Sequence, residues 1–90
     1  MNMMGSEGCL AVSLAGRDAG MVCLILRDEE EYLFIADGRG RRVETPKKKK
    51  RKHVRLITGE NGEPIRFSGE ALTNRFLRNW LREQAGRVQV

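Results

Sequence analysis

Along the first two thirds of the chain apolar positions recur at period two or in short solid runs; only near the end does the period lengthen. Leu10, Val12 and Leu14 alternate with small or polar residues between Cys9 and Leu14, which predicts a half-buried strand. The strand stops at Gly16-Arg17-Asp18-Ala19-Gly20, where two glycines bracket a polar pair in the composition of a tight turn needing positive φ. Met21 to Leu26 is continuously apolar and long enough only for a second strand. Asp28 to Glu31 reads as an acidic turn, and Tyr32 to Ala36, rich in β-forming residues, as a third strand. Asp37-Gly38 opens another turn, with Gly40 two residues on. Arg41 to Thr45 then reads as a short edge strand that Pro46 closes by withholding a backbone donor. His53 to Ile57 completes five. Short strands about ten residues apart, joined by glycine turns, predict a mainly β fold, a small closed or nearly closed barrel. Closure would remove the unpaired edges on which such short strands aggregate.

The period changes after Thr58 to Phe67, a polar connection containing Gly59, Gly62 and Pro64. Ser68 is a suitable N-cap and Glu70 complements a helix dipole. Leu72, Phe76, Leu77, Trp80 and Leu81 then trace one helical stripe, and Gly86 supplies a stop. The expected organisation is an N-terminal segment over 1–8, a β-barrel over 9–58, a linker over 59–67, a C-terminal helix over 68–86 (Gly69 to Ala85 in its regular part) and a tail over 87–90. Leu10, Val12, Leu14, Val22, Leu24, Leu33, Ile35, Val54 and Leu56 are the expected core.

Charge sharpens this picture. From Arg39 to Arg55 there are ten Lys or Arg and one acid, Glu44, a net +9, against −4 for the rest of the chain. Six of those cations, Lys47 to Lys52, are consecutive and repel one another, which points to a polyanionic partner. A solvated charged loop is the plainer alternative. Cys9 and Cys23 form no Cys-x-x-Cys pair and there is one histidine, so no structural zinc site assembles from thiolates and imidazoles. Both cysteines lie in strand-like runs, where cysteine serves as a small apolar residue. No apolar run reaches the roughly 20 residues of a membrane helix. Met1 to Gly8 lacks a basic region ahead of an apolar stretch, so no export signal and a cytoplasmic location are expected.

The stretch from Leu10 to Ile57 resembles the KOW-domain proteins. The residues that carry the likeness are the Leu10-to-Leu14 strand, the turn and strand from Ala15 to Val22, Ala36-Asp37-Gly38-Arg39, and Glu44-Thr45-Pro46 with Lys47 to Lys50 and Lys52-His53. In that order they are similar to the branch related to archaeal and eukaryotic large-subunit ribosomal proteins and their short bacterial relatives. The resemblance covers about half of the chain. It implies an SH3-like β-barrel and contact with ribosomal or other structured RNA, with ribosomal proteins as neighbours. Met1 to Gly8 and the residues after Thr58 lie outside it.

The candidate site is therefore a basic arm with RNA as its partner. Arg39, Arg41, Arg42 and Arg51 are suited to bidentate phosphate bonds or to stacking on unpaired bases, and Lys47, Lys48, Lys49, Lys50 and Lys52 to point-charge neutralisation. Arg55 adjoins them, and Arg17 in the glycine turn is a second candidate beside backbone amides. Asp18 reads as a turn-capping carboxylate. No aromatic residue is interleaved within the arm, which favours phosphate and shape recognition of folded RNA over single-strand stacking. Trp80 and Phe76 have the spacing of packing residues. Gly38 and Gly40 complete no phosphate-binding fingerprint, and no nucleophile–base pair is present, so no enzyme, cofactor or metal is expected. The free chain is expected to be a monomer. The rival reading is a protein-interaction or targeting module, in which Pro46 to Lys52 acts as a localisation signal.

Overall fold

The computed structural model describes residues 5–68 and 71–87. It is mainly β: one antiparallel sheet of five strands followed by a C-terminal helix. The strands are β1 (Leu10–Ser13), β2 (Val22–Glu29), β3 (Tyr32–Ala36), β4 (Lys47–Lys50) and β5 (Val54–Leu56), and the helix is α1 (Asn74–Arg87). The spatial order is β4-β3-β2-β1-β5.

The strands at the two edges, β4 and β5, are consecutive in the chain and separated only by a 3-10 turn, Arg51–His53. Laid flat, four inter-strand steps of about 4.8 Å would set them about 19 Å apart. A three-residue 3-10 turn at about 2 Å per residue spans roughly 6 Å. The sheet must therefore curl until its edges approach one another. Among the described residues no ladder joins β4 to β5, so the expected closure is not completed by strand pairing.

Curling gives the sheet two buried faces. On the concave side Ala11, Cys23, Ile25, Leu33 and Ile35 form one cluster; on the other, Leu10, Val12, Leu24, Ala36 and Ile57 pack with Leu77, Trp80 and Leu81 of α1. All of β1 is consequently buried, rather than one face of it. Both cysteines are buried free thiols, packed as small core residues. Two expected core positions fail: Leu14 and Leu56 are 49% and 36% exposed. Leu14 lies just past the end of β1, and Ile57, one residue beyond β5, supplies the buried contact instead.

Three other boundaries differ from expectation. Arg41 to Thr45 is not a strand but a bent loop, and the lysine run, expected as a connection, is itself β4. The helix starts at Asn74, where Thr73 Oγ1 accepts the Phe76 amide at 3.2 Å; Ser68 is not its cap, Gly69 and Glu70 lie outside the described residues, and Gly86 falls within the helix. Of the expected stripe, Leu77, Trp80 and Leu81 pack, while Leu72 and Phe76 are exposed. The stretch expected as a linker turns at Gly59–Glu63 and returns to bridge Cys9 through Arg66, with Phe67 edge-on to Trp80 at 5.2 Å.

Candidate nucleic-acid interface

Strand periodicity divides the lysine run. Lys49 stands opposite Leu33 and Lys47 opposite Ile35, so both point to the concave side; Lys48 and Lys50 stand opposite Phe34 and Tyr32 and point outward. Lys48 and Lys50 are exposed, Lys47 is half-buried and Lys49 is buried.

Lys49 is committed to the fold. Its ammonium donates to Asp18 Oδ1 at 2.6 Å and to the Ala15 carbonyl at 2.7 Å, both in the β1–β2 turn, and the Ser13 hydroxyl donates to the same Asp18 oxygen at 3.0 Å. The turn is shaped by Gly16 and Gly20 at φ 84° and 88°, the positive values expected of them. Burial by itself would raise the Asp18 carboxyl, but the Lys49 and Ser13 hydrogen bonds outweigh it and hold the carboxyl below its ordinary value. Asp18 therefore does more than cap its turn: it pins the turn to strand β4. Lys49, expected as an RNA contact, is an internal strut.

Arg51 is likewise engaged. Its guanidinium reaches the Asp28 carboxylate and the Glu30 carbonyl, tying the 3-10 turn to the β2–β3 turn. Asp28 also accepts the Ser6 amide at 2.7 Å, the Ser6 hydroxyl at 2.9 Å and the Glu30 amide at 3.0 Å. Burial opposes ionisation there too, but these donors prevail and hold the carboxyl well below the usual carboxylate range. Of Asp28 to Glu31, expected as an acidic turn, Asp28 and Glu29 end strand β2 and only Glu30 and Glu31 form the turn; Asp28 organises three segments.

Arg39, Arg41 and Arg42 sit on the loop between β3 and β4. The Asp37 carboxylate accepts the Arg39 and Arg41 amides at 2.9 and 3.0 Å, which folds the loop back on itself. Asn74, at the start of α1, clamps the loop by accepting the Val43 amide and donating to Glu44, both at 2.8 Å. Hydrogen bonds from Asn74 and Arg42 hold the Glu44 carboxyl at about 2. Arg39 and Arg42 are exposed and Arg41 is half-buried. Arg17 is exposed in its turn, and Arg55 is exposed on the edge strand β5. The expected site residues thus fall into a turn, a loop against the helix, the β4 edge with its 3-10 turn, and the opposite edge strand β5; they are not one continuous arm.

Sequence reading missed two sets of residues. Arg78 and Arg82 on α1 share a depression of about 240 Å³ with Arg39, Asp37, Val22 and Leu81. Tyr32 and Phe34 are interleaved with the lysines after all, across the sheet rather than along the chain. Lys48 Nζ lies 4.4 Å from the Tyr32 ring centroid, and the Arg27 guanidinium lies 4.8 Å from that of Phe34. The only available signal was the period-two register of two strands, one of which was not expected.

Burial pushes the Cys23 thiol up to about 12, and burial likewise raises Cys9, which suits packing rather than reactivity. No helix among the described residues is long and apolar enough to cross a membrane. No family model matches the chain, and none of the curated proteins is significantly similar to it.

Proposed function

We propose that this chain is a non-catalytic RNA-binding protein, cytoplasmic and of the SH3-like KOW type, that holds ribosomal or other structured RNA through the β4 edge and its neighbouring arginines. One observation carries the reading: Lys48 and Lys50 project together from β4, with Lys52 exposed just beyond. Among the described ion pairs none engages these three. Like charges side by side on a strand repel, and a polyanion removes that repulsion while releasing its own counterions. Arg39 and Arg55 are exposed and extend the positive surface beyond the strand, while Arg42 is paired with Glu44.

The test leaves the struts intact. Lys47, Lys48, Lys50 and Lys52 are replaced by alanine, while Lys49 and Arg51 are kept. For a structured RNA engaging about five phosphates, the parent's logarithmic salt slope should be roughly −3 to −5, so that raising salt from about 50 to 200 mM costs on the order of 10²–10³ in affinity. The variant should remain folded, bind all RNAs more weakly, and show a shallower slope. A folded variant that binds as tightly as the parent removes the lysine strand as the binding surface. Pro46 to Lys52 would then be better explained as a localisation signal.

A further inference from the structure

The helix covers only half of the convex face of the sheet. Leu10, Val12, Leu24 and Ala36 lie beneath α1. Beyond the irregularity between Ile25 and Arg27, the same face continues as Arg27 and Glu29 on β2, Tyr32 and Phe34 on β3, and Lys48 and Lys50 on β4. The pairing sets Arg27 beside Phe34 beside Lys48, and Glu29 beside Tyr32 beside Lys50. Two half-buried aromatic rings are therefore flanked by exposed cations. The one acid on this strip, Glu29, is engaged by Arg27. Next to Tyr32 the surface dips into an open depression of about 450 Å³ lined by Glu30, Glu31, Tyr32, Lys50, Arg51 and Lys52.

From this arrangement we infer that the Tyr32–Phe34 half-face binds an unpaired RNA segment, its bases stacking on the two rings and its phosphates held by Lys48, Lys50 and Lys52. The inference rests on the RNA-binding reading and names the part of the RNA that this face takes. Three features point to unpaired nucleotides rather than to a duplex or an acidic protein. Rings two residues apart on one strand stand about 6.6–6.8 Å apart, twice the roughly 3.4 Å repeat of bases in a duplex strand. They suit splayed bases, which single-stranded recognition requires. Secondly, cations alone would serve any polyanion, whereas half-buried aromatic rings among them add affinity only for a ligand with planar groups between its charges. Thirdly, Lys48 covers the ring in the free protein as a removable cation. Its long side chain can transfer the ammonium to a phosphate as a base takes its place, and stacking a base is worth more than an exposed cation–π contact.

The test uses the full chain and three probes: a labelled 12-nucleotide oligoadenylate, a 12-base-pair RNA duplex, and inorganic polyphosphate. Tyr32→Ala and Phe34→Ala should each weaken oligoadenylate binding by about tenfold and change duplex binding by less than about twofold. Tyr32→Phe should keep the parent affinity. Tyr32→Leu and Phe34→Leu preserve apolar cover on the strand and should weaken oligoadenylate binding as the alanine variants do, which separates loss of stacking from loss of folding. Tyr32 is the single tyrosine of the chain, so its ring resonances are unambiguous, and they should move upfield on saturation with oligoadenylate. Unshifted ring resonances at saturation would overturn the proposal, as would leucine variants that bind oligoadenylate like the parent. Polyphosphate bound as tightly as oligoadenylate would place the affinity in the cations alone and overturn it too. A parent that binds neither RNA overturns the RNA-binding reading itself.

Discussion

Replacing Lys49 by methionine should unfold much of what replacing Lys48 leaves intact, although the two lysines are adjacent. The Lys49 and Asp18 side chains are 8% and 10% exposed, and the ammonium satisfies both the carboxylate and the Ala15 carbonyl. Lys49→Met retains the apolar stem and its packing beside Leu33, but strands the Asp18 carboxylate with only the Ser13 hydroxyl. Its other oxygen, Oδ2, is already buried without a hydrogen-bond partner. Removing one member of a buried pair costs about 3–5 kcal/mol. We expect the lower end, about 3 kcal/mol, because both side chains keep a little exposure and water can reach the carboxylate once the lysine is gone. For a domain of this size that lowers Tm by roughly 12–24 °C. Lys48→Met, by contrast, removes an exposed cation–π contact of about 0.5–1 kcal/mol and should move Tm by a few degrees.

Two further measurements test the Lys49–Asp18 pair. The double variant Lys49→Met/Asp18→Asn removes both charges and should be more stable than Lys49→Met alone by about 2 kcal/mol, since an uncharged replacement of a buried pair is often nearly neutral. The second is pH. In the parent the Asp18 carboxyl is held below its ordinary 3.8, so the folded state takes up its proton less readily than the unfolded chain. The pair's contribution is then complete above the ordinary value and fades as pH falls through the depressed one. In Lys49→Met the carboxyl loses its strongest donor while its burial persists, so acidification neutralises it and the deficit against the parent should shrink. Urea titrations followed by Trp80 fluorescence, between neutral pH and pH 3, measure all of this. If Lys49→Met melts with Lys48→Met, shows no coupling to Asp18→Asn, and keeps a constant deficit across pH, Lys49 is not a strut.

Glu30 is the one described non-glycine residue at positive φ, 69° in the β2–β3 turn, where an L-residue costs roughly 1–2 kcal/mol. Allowing for the chain entropy of glycine, Glu30→Gly should raise the urea-derived stability by about 0.5–1 kcal/mol, and no gain would mean that the turn relaxes in solution. Gly38 has φ 80°, and a Cβ there would meet the Asn74 carbonyl oxygen at 2.6 Å and Arg78 Cγ at 2.9 Å. Gly38→Ala should cost at least about 2 kcal/mol, while Gly40→Ala, which meets open space, should stay within about 0.5 kcal/mol; equal melting of the two would show that the loop does not seat the helix.

Much of the fold was legible because its signals are local. The alternation around Leu10 and Val12, the solid apolar run in β2 and the β-rich Tyr32 to Ala36 each specify a strand from neighbouring residues. The glycines at 16 and 20 mark a turn that only positive φ can make. What failed depended on distance. Leu14 and Leu56 keep the right period, yet a strand's period says which face a residue takes and not how far along the strand that face is covered. Small Ala11 and Ser13 looked like the polar side of β1, but they face the second buried side of the sheet, across the ladders from Cys23 and Val54. The start of α1 at Asn74 rather than near Ser68 follows from Thr73 and from the clamp on Val43 and Glu44, partners 30 or so residues away.

The lysine run shows why the site was harder to read than the fold. Lysine is a poor strand former, and a tract of like charges looks solvated. The β4 conformation is imposed from outside, by Tyr32, Leu33, Phe34 and Ile35 across the ladder and by Asp18 at its inner end. Once the tract is a strand, identical residues acquire opposite roles at period two. The net +9 of Arg39 to Arg55 therefore overstates the charge available to a partner. Lys49 is neutralised by Asp18, Arg51 by Asp28 and Arg42 by Glu44, and two of those acids were counted with the acidic remainder of the chain. Under the proposed function, an RNA at β4 would meet Lys48, Lys50 and Lys52 set among aromatic rings, a surface of moderate charge and definite shape. That difference has a measurable sign: the salt slope should reflect these few exposed cations and their arginine neighbours, not the ten of the sequence, and the affinity left at high salt should depend on Tyr32.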